Sequence, residues 1–239
     1  VYKRQSEDGQ AQADLNRLMD GTFSNQEAGM PEGTVHSELL RRPGKLYVLA
    51  SHFHPDHFNK EVLQWREQRP DIIYIFSKDI LRHRRAQKED AVWLKKGEEY
   101  KDETLSVRAF GSTDVGVSFL LQAGGKKIFH AGDLNNWHWM DESTEAEWKG
   151  AEKNFLHELD DLYAYTPEVD VAMFPVDPRL GKEYMRGAGQ FVTKIKTHIF
   201  VPMHFTPEYA KANAFRDFAE AHGVRFVSLT HRGQKIEIE

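Results

Sequence analysis

The chain has 239 residues, 40% of them hydrophobic, and a mean hydropathy of -0.64. This length can bury one sizeable core, and no apolar stretch reaches the ~20 residues that a membrane span needs. The absence of cysteine excludes disulfides, thiolate metal ligands and a cysteine nucleophile. A formal charge of -5 gives no overall attraction to phosphate backbones, so we expect a small-molecule substrate rather than nucleic acid or a membrane.

The first 44 residues differ in composition from the rest. They are rich in polar residues and lack strand alternation, and only a short helix at 13–19 is predicted. Residues 1–5 look like a translated sequencing adapter, and position 1 is not methionine. We therefore expect 1–44 to be an irregular segment, truncated or artefactual, and 45–239 to be one folded domain. Any signal peptide is lost with the true start, so a cytoplasmic location is the default expectation.

From residue 45 onward, strand and helix patterns alternate, which favours a layered α/β fold. Strands are predicted at 46–50, 72–76, 104–110, 117–123, 126–130, 169–174, 224–229 and 235–238. Helices are predicted at 61–68, from Ser143 or Thr144 as the N-cap, and at 206–221. Gly124 and Gly125 predict a tight hairpin turn between two of these strands.

Four side chains that can bind a metal follow the first predicted strand within six residues. They are His52, His54, Asp56 and His57. A short loop after a strand holds closely spaced ligands on rigid backbone, and imidazole with carboxylate suits zinc and its neighbours. The alternative is a chance cluster of surface histidines.

Three later segments extend this pattern, at 110–116, 130–135 and 201–205. Together with the His-x-His-x-Asp-His motif they resemble the metallo-β-lactamase superfamily, most closely the branch that includes ascorbate-6-phosphate lactonase. The resemblance implies a four-layered αββα sandwich over 45–239, with the N-terminal strand hairpin of relatives missing.

The resemblance also implies a ligand set. One metal site takes Asp56, His57, Asp133 and His204, with Asp133 bridging two metals, and His52 and His54 begin the other, here called the first site. Relatives usually add a third histidine to the first site, where this chain has Ser112. A hydroxyl is a poor replacement for imidazole. Either Asp114 binds instead, or the first site is weak, or the protein works with one metal.

Other residues are candidates for binding the substrate. Asn135 and His138 follow Asp133 closely, and Asp177 and Arg179 follow another predicted strand end, where α/β folds tend to bind ligands. Arg179 could hold an anionic group through two hydrogen bonds, or form a surface salt bridge. The basic run 82–85 with Lys88 indicates a solvated helix face, with phosphate or partner binding as the alternative.

The expected chemistry follows from the ligands. A Lewis-acidic metal lowers the pKa of bound water toward ~7, which gives hydroxide at neutral pH. Asp56 and Asp133 are the expected catalytic residues, and Asp56 could orient the hydroxide or move its proton. We predict a hydrolase of a small anionic lactone, ester or phosphoester that binds one or two Zn²⁺, or Mn²⁺ or Fe²⁺. Two alternatives stay open: a nuclease or cyclic-nucleotide phosphodiesterase, and a non-catalytic ligand- or metal-binding protein with a degenerate first site.

Overall fold

The computed structural model describes residue 35, residues 37–234 and residue 236. It divides into two compact units, one formed by the described residues up to Leu94 and from Thr230, the other by Lys95–Leu229. Within this part of the chain, no helix combines the length and the apolar character that a membrane crossing requires. The predicted helix at 13–19 and most of the predicted strand at 235–238 lie outside the described residues.

The first unit is built on a three-stranded parallel sheet. Its strands, in spatial order, are β1 (Tyr47–Ala50), β2 (Ile73–Ser77) and β3 (Val92–Leu94). Its helices are α1 (Ser37–Leu40), α2 (Glu61–Gln64) and α3 (Lys78–Arg82), with 3₁₀ turns at Trp65–Glu67 and Lys88–Asp90. All four residues of β1 are buried, and Phe58 and Phe76 pack edge to face in the core beside this sheet.

The second unit is built on a seven-stranded mixed sheet of spatial order β10-β9-β8-β7-β6-β5-β4. The strands are β4 (Glu99–Lys101), β5 (Ser106–Phe110), β6 (Ser118–Ala123), β7 (Lys126–His130), β8 (Glu168–Pro175), β9 (Lys196–Met203) and β10 (Arg225–Phe226). The helices are α4 (Glu145–Tyr165), α5 (Arg186–Lys194), α6 (Tyr209–Asn213) and α7 (Arg216–Ala221), with a 3₁₀ segment at Pro178–Glu183.

Strand directions bring four strand ends to one edge of this sheet. Strands β7, β8 and β9 are parallel neighbours, and β5 runs in the same direction because it is antiparallel to β6, which is antiparallel to β7. The loops that follow β5, β7, β8 and β9 therefore leave from the same edge. These loops carry Asp114, Asp133, Asp177 and His204.

The mixed α/β class is confirmed, and six of the predicted strands appear close to their predicted limits. Thr144 is the N-cap of α4, where its side chain accepts a hydrogen bond from the amide N–H of Glu147. The strand predicted at 224–229 is reduced to Arg225–Phe226. The helix predicted at 206–221 is two short helices, α6 and α7, and its predicted first residue, Thr206, has a left-handed φ of 52°.

Strands β3, β4 and β9 and helices α1 and α5 were not predicted from the sequence. Strand β4 reads Glu-Tyr-Lys and lies at the sheet edge, so it has little apolar signal. Helix α5 contains Gly187 and Gly189, which lower helix propensity. Gly187 allows close packing, because a Cβ there would lie 2.0 Å from Oδ1 of the buried Asn135 and 3.0 Å from the backbone N of Asn136.

Candidate metal-binding residues

The histidine-rich loop of the first unit is fixed at both ends. The amides of His57 and Phe58 both donate to the carbonyl of His54, at 2.9 and 2.8 Å, which closes a tight turn. The Phe58 ring is 1% exposed and anchors the end of the loop in the core. Near its start, the Phe53 amide donates to Oδ2 of Asp79 in α3, at 3.0 Å. Such anchoring preorganises the ligands between these points.

Ser51 links two of the predicted ligands. Its Oγ lies 3.0 Å from Nδ1 of His52 and 3.5 Å from Nδ1 of His57, and the two imidazole centroids are 3.8 Å apart. A hydroxyl oxygen has two lone pairs, so it can accept a hydrogen bond from the Nδ1–H of each imidazole, and each Nε2 then carries the lone pair that a metal needs. Candidate ligand atoms of His52 and His54 lie within 4.8 Å of each other, as do those of Asp56 and His57.

In the second unit, the loop after β7 holds Asp133. The amide of Asn135 donates to Oγ1 of Thr113 at 3.0 Å, and that hydroxyl donates to the Asn135 carbonyl at 2.5 Å. The indole N–H of Trp137 donates to the Asp133 carbonyl at 2.8 Å. Thr113 follows β5, so one side chain joins the loops at the ends of two strands. This arrangement fixes the backbone of Asp133. The residue as a whole is 6% exposed.

His204 follows β9 and is oriented by a buried carboxylate. Its Nδ1 lies 3.0 Å from Oδ2 of Asp177, a residue with no exposed surface. Asp177 also accepts hydrogen bonds from the backbone and the guanidinium of Arg179. Because the carboxylate can only accept, it selects the tautomer that has its proton on Nδ1. Nε2 of His204 then carries the lone pair that a metal needs.

The geometry of His204 and Asp133 fits a shared metal ion. Nε2 of His204 lies 3.3 Å from Oδ1 of Asp133. Two ligands of one tetrahedral zinc ion, with bonds near 2.1 Å, are about 3.4 Å apart. Two lone-pair atoms at this distance repel each other unless a proton or a cation lies between them. The donor set and its spacing are therefore compatible with a divalent metal.

The loop after β5 contains the expected departure from the family pattern. Ser112 Oγ accepts a long hydrogen bond of 3.4 Å from the amide of Asp114, so this hydroxyl is used in a local turn. A candidate ligand atom of Asp114 lies within 4.8 Å of one of Asp133. Asp114 thus occupies a place from which a carboxylate can join the same group of ligands.

The four residues predicted to contact the substrate, Asn135, His138, Asp177 and Arg179, all form hydrogen bonds within the protein. His138 uses both ring nitrogens: Nδ1 accepts from the Met140 amide and Nε2 lies 3.1 Å from the Glu183 carbonyl. The carboxylate of Asp177 is hydrogen-bonded to His204 and Arg179. The Arg179 side chain keeps 27% of its surface exposed. Asn135 is fully buried, and its Nδ2 has no hydrogen-bond partner among the described residues.

A network of polar side chains from helices α4 and α5 supports the loop that contains Asp133. The side-chain Nδ2 of Asn136 donates to Glu152 in α4 and to Gln190 in α5, both at 2.9 Å. Arg186 donates to both carboxylate oxygens of Glu152. These hydrogen bonds, that of Arg186 first, lower the pKa of Glu152 to about 2. A permanently charged carboxylate here ties two helices to the loop.

The sequence analysis assigned no role to Ser51, Thr113 or this network. Ser51 precedes His52 directly, and a hydroxyl next to a predicted ligand is a signal that could have been used. Thr113 also lies within the segment 110–116, which belongs to the family pattern. Glu152 and Arg186 are 34 positions apart and carry no motif, so only the fold brings them together.

Comparisons with known proteins agree with this fold. A family model described as a β-lactamase superfamily domain matches residues 34–205. A proposed metal-dependent hydrolase from Parabacteroides distasonis is 17% identical with a TM-score of 0.53, and the match covers 85% of this chain and 82% of that one. Igni18, a metallo hydrolase from Ignicoccus hospitalis, is 18% identical with a TM-score of 0.51, covering 78% and 76%.

A third solved structure has a similar fold. CmlA, a diiron β-hydroxylase from Streptomyces venezuelae, is 14% identical with a TM-score of 0.53, and the match covers 80% of this chain and 45% of that one. At these identities the structures show a shared fold. A comparison with curated proteins gives no match. The ascorbate-6-phosphate lactonase branch stays a prediction. The chain belongs to the β-lactamase superfamily, which confirms at family level the predicted enzyme class, a metal-dependent hydrolase of this superfamily.

Proposed function

We propose that the protein hydrolyses a small anionic lactone, ester or phosphoester. The observation that carries this proposal is the pairing of Nε2 of His204 with Oδ1 of Asp133 at 3.3 Å, backed by the buried Asp177. Such a carboxylate-histidine pair beside a second carboxylate is typical of metal sites that bind divalent ions. The family membership then favours hydrolysis over the use of this pair as a simple ion pair.

The metal ligands that we propose are the seven residues predicted from the sequence motifs. They are His52, His54, Asp56 and His57 in the first unit and Asp114, Asp133 and His204 in the second. Nitrogen and carboxylate donors without thiolate suit Zn²⁺, one or two per chain, and also Mn²⁺ or Fe²⁺. When bound, the metal supplies a Lewis acid that makes water a nucleophile at neutral pH.

The protein side chains have separate roles in this proposal. Asp56 would act as the general base that takes the proton of the attacking water. A general base must lie within hydrogen-bond reach of that proton. Asp133 holds the metals and offsets their positive charge. Arg179 and Asn135 keep hydrogen-bonding capacity for the substrate, whereas His138 and Asp177 support the loops.

One observation favours a second candidate. Ser112 takes the place of a ligand histidine and bonds the Asp114 amide, which is what a degenerate first site would look like. A non-catalytic metal- or ligand-binding protein is therefore the alternative. A nuclease is less favoured, because the net charge of -5 repels a polyanion.

The deciding experiment measures bound metal per chain together with hydrolysis of lactones, carboxylic esters, phosphomonoesters and phosphodiesters. The variant His204→Ala should lose metal and hydrolysis. His198→Ala is a matched control, because His198 lies in strand β9, which ends directly before His204, but is exposed and pairs with Glu168. Full metal loading with no hydrolysis of any substrate would reject the proposed function in favour of a binding protein.

A further inference from the structure

We propose that an arginine cluster in the first unit, formed by Arg82, Arg84 and Arg85, binds a phosphate group of the substrate. The three arginines lie within four positions, with His83 between them, in a chain that is acidic overall. Arg82 and Arg84 are exposed. This inference rests on the proposed function and narrows its substrate class to phosphate-bearing molecules.

Like Arg216 and Arg225, the three cluster arginines have no carboxylate partner in the described part of the chain. Five arginines in the described part of the chain form salt bridges with acidic residues: Arg66, Arg69, Arg108, Arg179 and Arg186. Within the same part, none of the three cluster arginines does. Nε of Arg85 is also buried without a hydrogen-bond partner among these residues. A buried donor without an acceptor is costly, and an anionic ligand would remove that cost.

The backbone holds the cluster in a compact turn. Helix α3 ends at Arg82, and Arg84 has a left-handed φ of 55°. The amide of Arg84 donates to the Leu81 carbonyl at 2.9 Å, and that of Arg85 to the Ile80 carbonyl at 3.0 Å. The three arginines thus belong to one compact turn of backbone, and each guanidinium offers several donors to a small anion.

The cluster is joined to the metal-ligand loop inside the same unit. The ring of His83 stacks on Phe53 with centroids 3.6 Å apart and planes 13° apart. Phe53 lies between His52 and His54, and its amide is bound by Asp79, three positions before Arg82. A phosphate held by the cluster would therefore belong to a molecule that also reaches the histidine-rich loop.

The size of the cluster favours a small ligand over nucleic acid. Proteins that bind a nucleic acid backbone distribute cations over several phosphates, and their affinity depends on many contacts. Here three arginines lie within four positions of a protein with net charge -5. We therefore assign the cluster to a single terminal phosphate, such as that of a phosphorylated lactone or ester.

The test compares two double variants that each lose two positive charges. Arg82→Gln with Arg84→Gln removes the exposed part of the cluster and leaves the partly buried Arg85 in place. Lys101→Gln with Arg225→Gln is the control, because both of these residues are exposed and lie outside the cluster, in strands β4 and β10. Calorimetric titration with inorganic phosphate at low salt should show about tenfold weaker binding for the cluster variant alone.

All variants keep the metal ligands, so phosphate bound at a metal contributes equally to each titration. Equal phosphate affinity in the wild type and both variants would overturn the inference. A second readout compares a phosphorylated ester with its dephosphorylated form, where the cluster variant should raise KM for the phosphorylated ester about tenfold. A KM that stays within twofold of wild type (about 0.4 kcal/mol) would also overturn the inference.

The two proposals can fail separately. If the wild type hydrolyses no ester, the proposed function fails, while the phosphate titration still decides the role of the cluster. Titration with a single-stranded RNA provides the remaining outcome. RNA that binds more tightly than phosphate, with steep salt dependence and loss in the cluster variant, would replace the small-molecule inference with nucleic-acid binding.

Discussion

The two units present their candidate ligands in different ways. In the first unit, His52, His54, Asp56 and His57 come from one loop whose ends are anchored by Phe53 and Phe58. In the second, Asp114, Asp133 and His204 come from the ends of three strands that are far apart in sequence. The first set is fixed by local chain geometry, whereas the second depends on sheet register and on supporting side chains.

This difference predicts where the protein is sensitive to change. Two ligands of the second unit are supported by residues from other elements, Thr113 for the Asp133 loop and Asp177 for His204. In the first unit, one serine supports two imidazoles through hydrogen bonds of 3.0 and 3.5 Å. We therefore expect single substitutions at or beside Asp133 and His204 to cost more than those in the first unit.

Asp133→Asn should have the largest effect. The amide keeps the shape of the side chain but removes the charge that offsets metal repulsion, so kcat/KM should fall by more than about a hundredfold. The fold should persist, because Trp137 and Thr113 bond the backbone of this loop. Metal content, turnover and thermal unfolding are the measurements, and exposed Asp217→Asn is the control. Near-normal turnover at full metal loading would remove Asp133 from the ligand set.

Asp177→Asn should come next. An amide can present its N–H₂ to Nδ1 of His204 and select the wrong tautomer, which should weaken metal binding about 10- to 100-fold. Competition with a chelator measures this affinity. Glu168→Gln offers a matched control, since it alters an exposed carboxylate-histidine pair with His198. Equal affinity in both variants would show that Asp177 does not orient the ligand.

The limits of sequence analysis follow the same division. Spacing alone predicts the first unit's ligands, because His52 to His57 lie in one loop. Asp133 and His204 were found through family motifs rather than periodicity. Sequence cannot show that the Thr113 hydroxyl bonds both backbone groups of Asn135, nor that Glu152 meets Arg186 across two helices. Such contacts depend on register and helix packing, which local patterns do not encode.

Ser51→Ala should weaken metal binding by about tenfold, near the lower limit for a residue that orients ligands. Ser51→Thr keeps the hydroxyl and should restore most of the affinity if the residue acts through hydrogen bonds. The paramagnetic shifts of a cobalt-substituted protein would report the imidazole orientations. Loss of affinity in both variants, with unchanged shifts, would assign Ser51 to packing beside β1 instead.

Glu152→Gln should lower stability in a pH-dependent way. The hydrogen bond from Arg186 lowers the pKa of Glu152 from its ordinary 4.5 to about 2, so its charge stabilises the folded state above pH 4.5 and this contribution is lost as pH falls toward 2. The difference in melting temperature between wild type and variant should be full at pH 7 and smaller at pH 3. An equal difference in melting temperature at both pH values would mean that the charge of Glu152 does not cause the loss of stability.

Asp114→Ala should have the smallest effect, a severalfold fall in the occupancy of the first site. A carboxylate ligand atom of Asp114 lies within 4.8 Å of one of Asp133, yet the residue is exposed and its amide bonds the neighbouring Ser112. An exposed ligand can exchange with water, so its removal costs less than that of Asp133. Ser112→His provides the opposite change, because imidazole is a better donor than a hydroxyl and should raise metal affinity. Metal titration of the wild type and both variants decides the question: if Asp114→Ala binds as much metal, as tightly, as wild type, Asp114 serves the turn and not the metal.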